Sequence, residues 1–134
     1  MQLEIEYLHE GMDPLYRAHP YDAGADVPLW RDVTVKHGKN VIDLGFKLIL
    51  PPGYMGIICA RSSVMGDGIA YNTVPFDSDY AAPWNMIFYN PGEEFELKKG
   101  QRICQVVILP IIYAEFVTKK INRRGAEGQG STGK

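Results

Sequence analysis

The chain has 134 residues, of which 46% are hydrophobic and 22% are charged, which suits one domain with a substantial core and leaves no room for two. Its formal net charge of −2 argues against bulk nucleic-acid binding, and no apolar run approaches the roughly 20 residues of a membrane span. The first ten residues alternate acidic and apolar side chains, unlike a secretory signal, so we expect an intracellular, cytoplasmic protein.

Short apolar or alternating runs, separated by Gly, Pro, Asn and Asp, predict an all-β domain. A helical turn fits only residues 61–66, where Gly66 and Gly68 would end it. So many short strands in one domain favour a β-sandwich, a jelly roll or a small barrel. The predicted strands are residues 2–7, 33–36, 41–50, 54–60, 84–90 and 102–109.

Residues 111–121 follow the last predicted core strand and are apolar enough to need a partner surface. This segment could cross to another subunit as an exchanged strand, and an ordinary edge strand explains the same composition. We therefore expect a β-rich core over residues 1–121 and a tail over residues 122–134 within the same domain.

The tail combines four glycines with cations and hydroxyls. Glycine makes a chain costly to order, so we expect this end to be flexible and to close as a lid when a ligand binds. Arg124 offers a planar fork to phosphate oxygens, and Ser131 and Thr132 offer hydroxyl donors. The alternative is a frayed, solvated terminus.

Four further segments carry candidate site residues. Residues 22–27 form a predicted turn that contains Asp26. Arg61, Ser62 and Ser63 follow a strand and could form an oxyanion cradle or a plain helix cap.

The third and fourth segments lie further along the chain. Residues 72–80 hold Asp77, a carboxylate that could orient and deprotonate a water beside a bound triphosphate. Residues 100–105 open a strand after a turn, where Arg102 and Gln105 could donate to phosphate or to its hydrated metal. Surface turns and a hairpin entry are the structural alternatives for these two segments.

The cysteines and histidines give no metal signature. Cys59 and Cys104 each sit alone inside an apolar run, which predicts buried free thiols. The three histidines are scattered, and nothing resembles the zinc signature of the nucleobase deaminases.

Taken in order, the segments DAGADV, ARSS, DSDY, GQRICQ and RGAEGQGSTG closely resemble the five motifs of the trimeric dUTP diphosphatase (dUTPase) family. The resemblance covers most of the chain. It implies a jelly-roll-like (β-clip) subunit with C-terminal strand exchange, in a homotrimer whose active sites are shared between subunits. It also implies hydrolysis of dUTP to dUMP and pyrophosphate, with Mg²⁺ held by the triphosphate and waters rather than directly by the protein.

The same resemblance implies roles for individual residues. Asp77 would hold the water that attacks the α-phosphorus, and Tyr80 would stack under the deoxyribose and exclude a 2′-hydroxyl. Asp26 and Arg102 would be supporting residues. Phosphates would be contacted by Arg61, Ser62, Ser63 and Gln105, and by Arg124, Ser131 and Thr132 after lid closure. The base and sugar would meet Asn72, Val74, Phe76, Tyr80 and Gln129.

The sequence departs from the family pattern at two places. Pro75 lacks an amide donor in the hairpin that would recognise uracil. Gln129 replaces the aromatic residue that usually covers the base, and Glu127 stands where glycine is common. Both departures bear on uracil selection rather than on the reaction type.

Two rival functions follow from the same resemblance. The related dCTP deaminases use a glutamate in the strand after the third motif, and residues 84–90 contain no acid, which disfavours deamination. A phage-type regulatory protein that senses the nucleotide or binds a protein partner is the other rival. Retention of Asp77 favours turnover.

Overall fold

The computed structural model describes residues 1–61, 68–71 and 74–120. These ranges contain no helix, and therefore none that could cross a membrane. The all-β prediction is confirmed for this part of the chain. The strands are β1 (Ile5–Tyr7), β2 (Ala25–Pro28), β3 (Val33–Val35), β4 (Gly38–Asp43), β5 (Phe46–Leu48), β6 (Tyr54–Ala60), β7 (Ala70–Tyr71), β8 (Asn85–Asn90), β9 (Phe95–Leu97) and β10 (Arg102–Pro110).

The strands pair antiparallel in four small sheets, ordered β1-β5, β2-β10-β6, β3-β9 and β4-β8-β7. The longest strand, β10, lies between β2 and β6 and pairs with seven residues of β6, from Tyr54 to Ala60. The register shifts between Arg102 and Cys104, where β10 enters its pairing with β2. This three-stranded sheet carries Asp26, Arg102 and Gln105, and Arg61 directly follows its strand β6.

The structure corrects several strand predictions. Residues 41–50 are two strands rather than one, because Gly45 has φ +80°, a conformation that ends the extended run. The segment at 22–27 was expected to be a turn, yet its second half is β2. Strands β7 and β9 were not predicted, since they have only two and three residues and are held by pairing with neighbours.

The core is built from the inner faces of these sheets. In β8, Met86 and Phe88 are buried while Tyr89 is exposed, the alternation expected of a strand with one face against the core. Trp84 precedes β8 and is fully buried, with its ring centroid 5.6 Å from that of Phe46. This centre of aromatic packing also supports the candidate site.

The segment after β10 leaves the core as an exposed arm, defined here as residues 111–120. It forms no strand in the described chain, although its apolar side chains suggested one. Its base is attached at Gly53, whose N–H donates to the Tyr113 hydroxyl at 2.9 Å and whose carbonyl accepts from Ile111 N–H at 2.8 Å. Ile112 and Phe116 are 92% and 94% exposed. Strand exchange remains a prediction.

Candidate active site

A polar row crosses the sheet β2-β10-β6 on its outer face. Gln105 of β10 lies directly opposite Asp26 of β2 and Cys59 of β6, so the three side chains project side by side. The next residues along the strands, Val27 and Cys104, point inward and are buried. The strand alternation therefore separates a polar outer row from an apolar inner one.

Asp26 holds two guanidinium groups at this row. Its Oδ2 lies 3.4 Å from Arg102 Nη1 and 3.8 Å from Arg61 Nη1, and its side chain is 16% exposed. Arg61 continues the ladder beyond β6, since its N–H donates to the Ile103 carbonyl at 2.9 Å. One carboxylate between two cations leaves a net positive site that suits a polyanion.

The neighbours of the row fix its side chains. The guanidinium of Arg102 lies 4.8 Å from the ring centroid of Tyr16, a cation–π contact. Gly24 is buried beside Gln105, and a Cβ at position 24 would come within 2.8 Å of Gln105 Cβ. Glycine at this position therefore leaves room for the Gln105 side chain, which a larger residue would displace.

The buried thiol of Cys104, on the inner face of the sheet, has a strongly raised pKa. Burial raises the pKa of Cys104 well above its usual value, and the nearby Asp26 carboxylate and Cys59 raise it further. Cys104 is a buried free thiol, as predicted. Cys59 is also free but only half-buried, because it lies on the outer face opposite Gln105.

Asp77 belongs to a second group, on the far side of β6. Phe76 and Gly56 form an antiparallel bridge, with N–H···O distances of 2.8 and 3.1 Å. The Phe76 ring is buried and stacks on Trp84 at 4.0 Å. Asp77 follows immediately and is exposed, and its carbonyl accepts from Tyr80 N–H at 3.1 Å.

Two spaces adjoin this second group. Tyr80 lines an open cleft of about 370 Å³ together with Arg31, Asp43 and Pro83. The second space is a narrow gap of about 20 Å³. It is lined by Ile58, Ala60, Tyr71, Val74, Phe76, Asn85, Met86 and Ile87. The gap has room for about one water molecule and does not admit a pyrimidine ring in this conformation.

Tyr71 faces this region from β7. Its hydroxyl is buried and has no hydrogen-bond partner within the described part of the chain. Burial raises its pKa above the usual value of a phenol. Nothing in the sequence singled out this residue.

The two groups are far apart within one chain. Gly56, which pairs with Phe76, and Arg61 are separated by five residues along β6, or about 16 Å at the usual rise of a strand. Asp77 continues from Phe76 towards Met55 in the antiparallel bridge, away from Arg61. The structure thus brings Asp26, Arg61, Arg102 and Gln105 together, and separately brings Phe76, Asp77 and Tyr80 together.

Several predicted site residues lie outside the described residues. They are Ser62, Ser63, Asn72, Arg124, Gln129, Ser131 and Thr132.

The sequence analysis missed two residues that support Asp77, namely Gly56 and Trp84. A glycine inside a strand pattern is a signal of close approach by another group, and position 56 carried that signal. Within residues 1–61, 68–71 and 74–120, no group of three or more His, Cys, Asp or Glu side chains is arranged to hold a metal.

These features define an all-β protein with a cationic outer face suited to a polyphosphate and an exposed carboxylate on a rigid support. Comparison with known proteins gives the family. The dUTPase family model matches residues 12–133. The deoxyuridine 5′-triphosphate nucleotidohydrolase of Nautilia profundicola is 36% identical over 143 aligned positions, covering 100% of both chains. That of Clostridium kluyveri is 35% identical and covers 99% of both. The chain belongs to the dUTPase family.

Solved structures agree on the fold. A mutant dUTPase from phage phi11 of S. aureus, in which a structural Mg(II) ion is coordinated, superposes with a TM-score of 0.80 at 21% identity, covering 90% of this chain and 98% of that one. The dUTPase of Staphylococcus bacteriophage 80alpha gives a TM-score of 0.80 at 22% identity, with 91% and 98% covered. The jelly-roll-like dUTPase fold expected from the motifs is confirmed.

Proposed function

We propose that this protein, a dUTP diphosphatase by its family, cleaves dUTP to dUMP and pyrophosphate by attack of an Asp77-held water on the α-phosphorus. The observation that carries the proposal is the setting of Asp77: an exposed carboxylate directly after a residue locked by two backbone hydrogen bonds and a buried ring stack. Curated relatives that align over the full chain carry the matching enzymatic name.

Phosphoryl transfer depends mainly on positioning and on stabilising charge, so a rigid carboxylate and fixed cations are the parts it needs. Asp77 would orient the water in line with the departing pyrophosphate and accept its proton. Tyr80, three residues after Asp77, lines an open cleft, which suits a ring that stacks under the deoxyribose. A 2′-hydroxyl would collide with such a ring, which would exclude ribonucleotides.

The outer face of β2-β10-β6 would bind the phosphates. Arg61 and Gln105 supply the donors, and Asp26 holds Arg61 and Arg102 at its row. From the sequence we propose that Ser62 and Ser63 add donors there. Arg124, Ser131 and Thr132 would grip the outer phosphates when the tail closes, which would exclude bulk water.

We propose that Mg²⁺ enters with the triphosphate. Mg²⁺ prefers oxygen ligands, keeps several waters and commonly binds substrate phosphates, and it would neutralise charge on the phosphate oxygens. Gln105 carries an amide oxygen beside Asp26 on the outer row and would accept a hydrogen bond from a metal-bound water. No side chain need coordinate the ion directly.

A site shared between subunits of a homotrimer accounts for two observations. The Asp77 group and the Arg61 group lie about 16 Å or more apart along β6 in a single chain, so a neighbouring subunit would bring one group to the other. The arm presents Ile112 and Phe116 almost fully to solvent, and exchange onto a neighbour would bury them.

Uracil recognition would fall to the segment before Asp77. Val74 and Phe76 line the narrow gap. The Phe76 ring is engaged by Trp84 and its N–H and carbonyl by Gly56, so backbone groups of its neighbours, such as Val74, would meet the base edge. Asn72 is a proposed polar contact, and Gln129 a proposed cover from the tail. A site built to hydrogen-bond one base edge rejects others strongly, because a wrong base leaves buried groups unpaired.

The test is substitution of Asp77 by Asn, assayed by pyrophosphate release from dUTP with Mg²⁺ and by nucleotide binding. We expect binding to persist while turnover falls by roughly 10²- to 10⁴-fold, the usual contribution of a positioned base. Near-normal turnover by the variant would refute the role of Asp77. Wild-type protein that binds dUTP and releases no pyrophosphate would favour a regulatory nucleotide sensor. Ammonia or a uracil product from dCTP would favour the deaminase-related alternative.

A further inference from the structure

Gly56 lies in the middle of β6 with a strand partner, Ile108, on one side and Phe76 on the other. Its φ is not positive, so backbone conformation does not demand glycine here. Space does. A Cβ at position 56 would overlap Cη2 of Trp84 and lie 3.0 Å from Cζ3. Any side chain at this position must therefore displace the indole or the strand.

The indole has no room to retreat. Trp84 is fully buried, and its ring packs between Phe46 at 5.6 Å and Phe76 at 4.0 Å. Its backbone is held at both polar groups, because its N–H donates to the Phe46 carbonyl and its own carbonyl accepts from Leu44 N–H, each at 2.9 Å. A push from position 56 would therefore pass into the ring stack.

A displacement at position 56 would reach Phe76 through two sets of contacts. Its ring lies parallel to the indole, with an interplanar angle of 5°, and its backbone exchanges two hydrogen bonds with Gly56 itself. The ring of Phe76 also meets that of Tyr80 edge to face at 5.4 Å. Asp77 follows Phe76 directly and begins the turn that ends at Tyr80, so it lies between Phe76 and a residue in contact with Phe76.

We propose that Gly56 is a positioning residue for catalysis: its missing side chain sets the indole of Trp84 beneath Phe76 and thereby sets the place of Asp77. The proposal rests on the proposed role of Asp77 in turnover. Gly56 touches no reacting atom and acts only through the stack. Misplacing a catalytic group by about 1 Å can cost about 10²-fold in rate, so a small shift at Phe76 is enough to be measured.

The experiment compares Gly56→Ala, Trp84→Phe and the double variant with wild type, using dUTP turnover well below each melting temperature. Gly56→Ala should lower kcat by about 10- to 100-fold while KM changes less. Phenylalanine ends short of the Cη2 position, so the double variant should return to within a few-fold of Trp84→Phe alone. Gly92→Ala is the matched control, because a Cβ there meets only Asn90 Oδ1, at 3.5 Å, and its kcat should equal that of wild type.

Crystal structures of the same variants give a readout independent of activity. The Phe76–Asp77 backbone should shift in Gly56→Ala and return in the double variant. A folded Gly56→Ala with wild-type kcat and an unmoved Asp77 would overturn the proposal, as would a loss that Trp84→Phe does not relieve. If Gly56→Ala does not fold, the double variant decides: it must fold and turn over like Trp84→Phe, and failure on either count refutes the idea. A wild type that does not cleave dUTP refutes the proposed function instead, and the structures alone then decide whether Gly56 sets the place of Asp77.

Discussion

The exposed arm offers the sharpest test of assembly, through the substitution Phe116→Ala. Phe116 is 94% exposed in the single chain, so nearly all of its apolar surface is available to a neighbouring subunit. Full burial of such a side chain is worth about 1.5–3 kcal/mol. Three arms in a homotrimer would together lose roughly 5–9 kcal/mol, since each arm carries the same change. That loss lowers the trimer association constant by about 10³- to 10⁶-fold at 1.4 kcal/mol per factor of ten.

The assay is sedimentation velocity over a dilution series, with the monomer fold followed by circular dichroism. If the proposed homotrimer forms, Phe116→Ala should dissociate at concentrations where wild type stays assembled, and its turnover should fall in parallel because the proposed site is shared between subunits. Lys119→Ala is the matched control, since it shortens another exposed side chain of the arm without removing an anchor of this size. A wild type that sediments as a monomer, or a Phe116→Ala variant that assembles like wild type, would refute the reasoning.

Two other outcomes are expected. Truncation after Arg123 should abolish most turnover by removing the proposed phosphate grip, while the melting temperature of the unliganded protein stays close to wild type; a large drop in that temperature would argue that the tail supports the core. Burial raises the pKa of Cys104, so the thiol makes its full contribution to the free energy of unfolding below the ordinary thiol pKa of about 8.5. Above that pH the contribution declines by up to about 1.4 kcal/mol per pH unit. Denaturant unfolding should therefore show the stability gap between wild type and Cys104→Ala narrowing as the pH rises past about 8.5, and a gap that stays constant would contradict the buried neutral thiol.

Short-range signals in the chain were enough to predict the class of fold and most of its longer strands. The strand β6 falls at residues 54–60 as predicted, because a turn at Pro51-Pro52-Gly53 precedes a continuous apolar run. The prediction failed where pairing rather than composition makes the strand. Residues 70–71 extend only because β8 lies beside them, and Ala25–Pro28 are a strand because β10 supplies the ladder.

The sequence by itself determined the family and the identity of the candidate acid, since the order of five motifs and the aspartate within DSDY are local facts of the chain. Tertiary structure decided which of those residues meet. Asp26 and Arg102 are 76 positions apart, and only the β2-β10 register brings them to 3.4 Å. Similarly, the role of Gly56 could not be seen until Trp84, 28 residues later, was found against its Cα. Contacts between distant strands depend on register and packing, which no local pattern encodes.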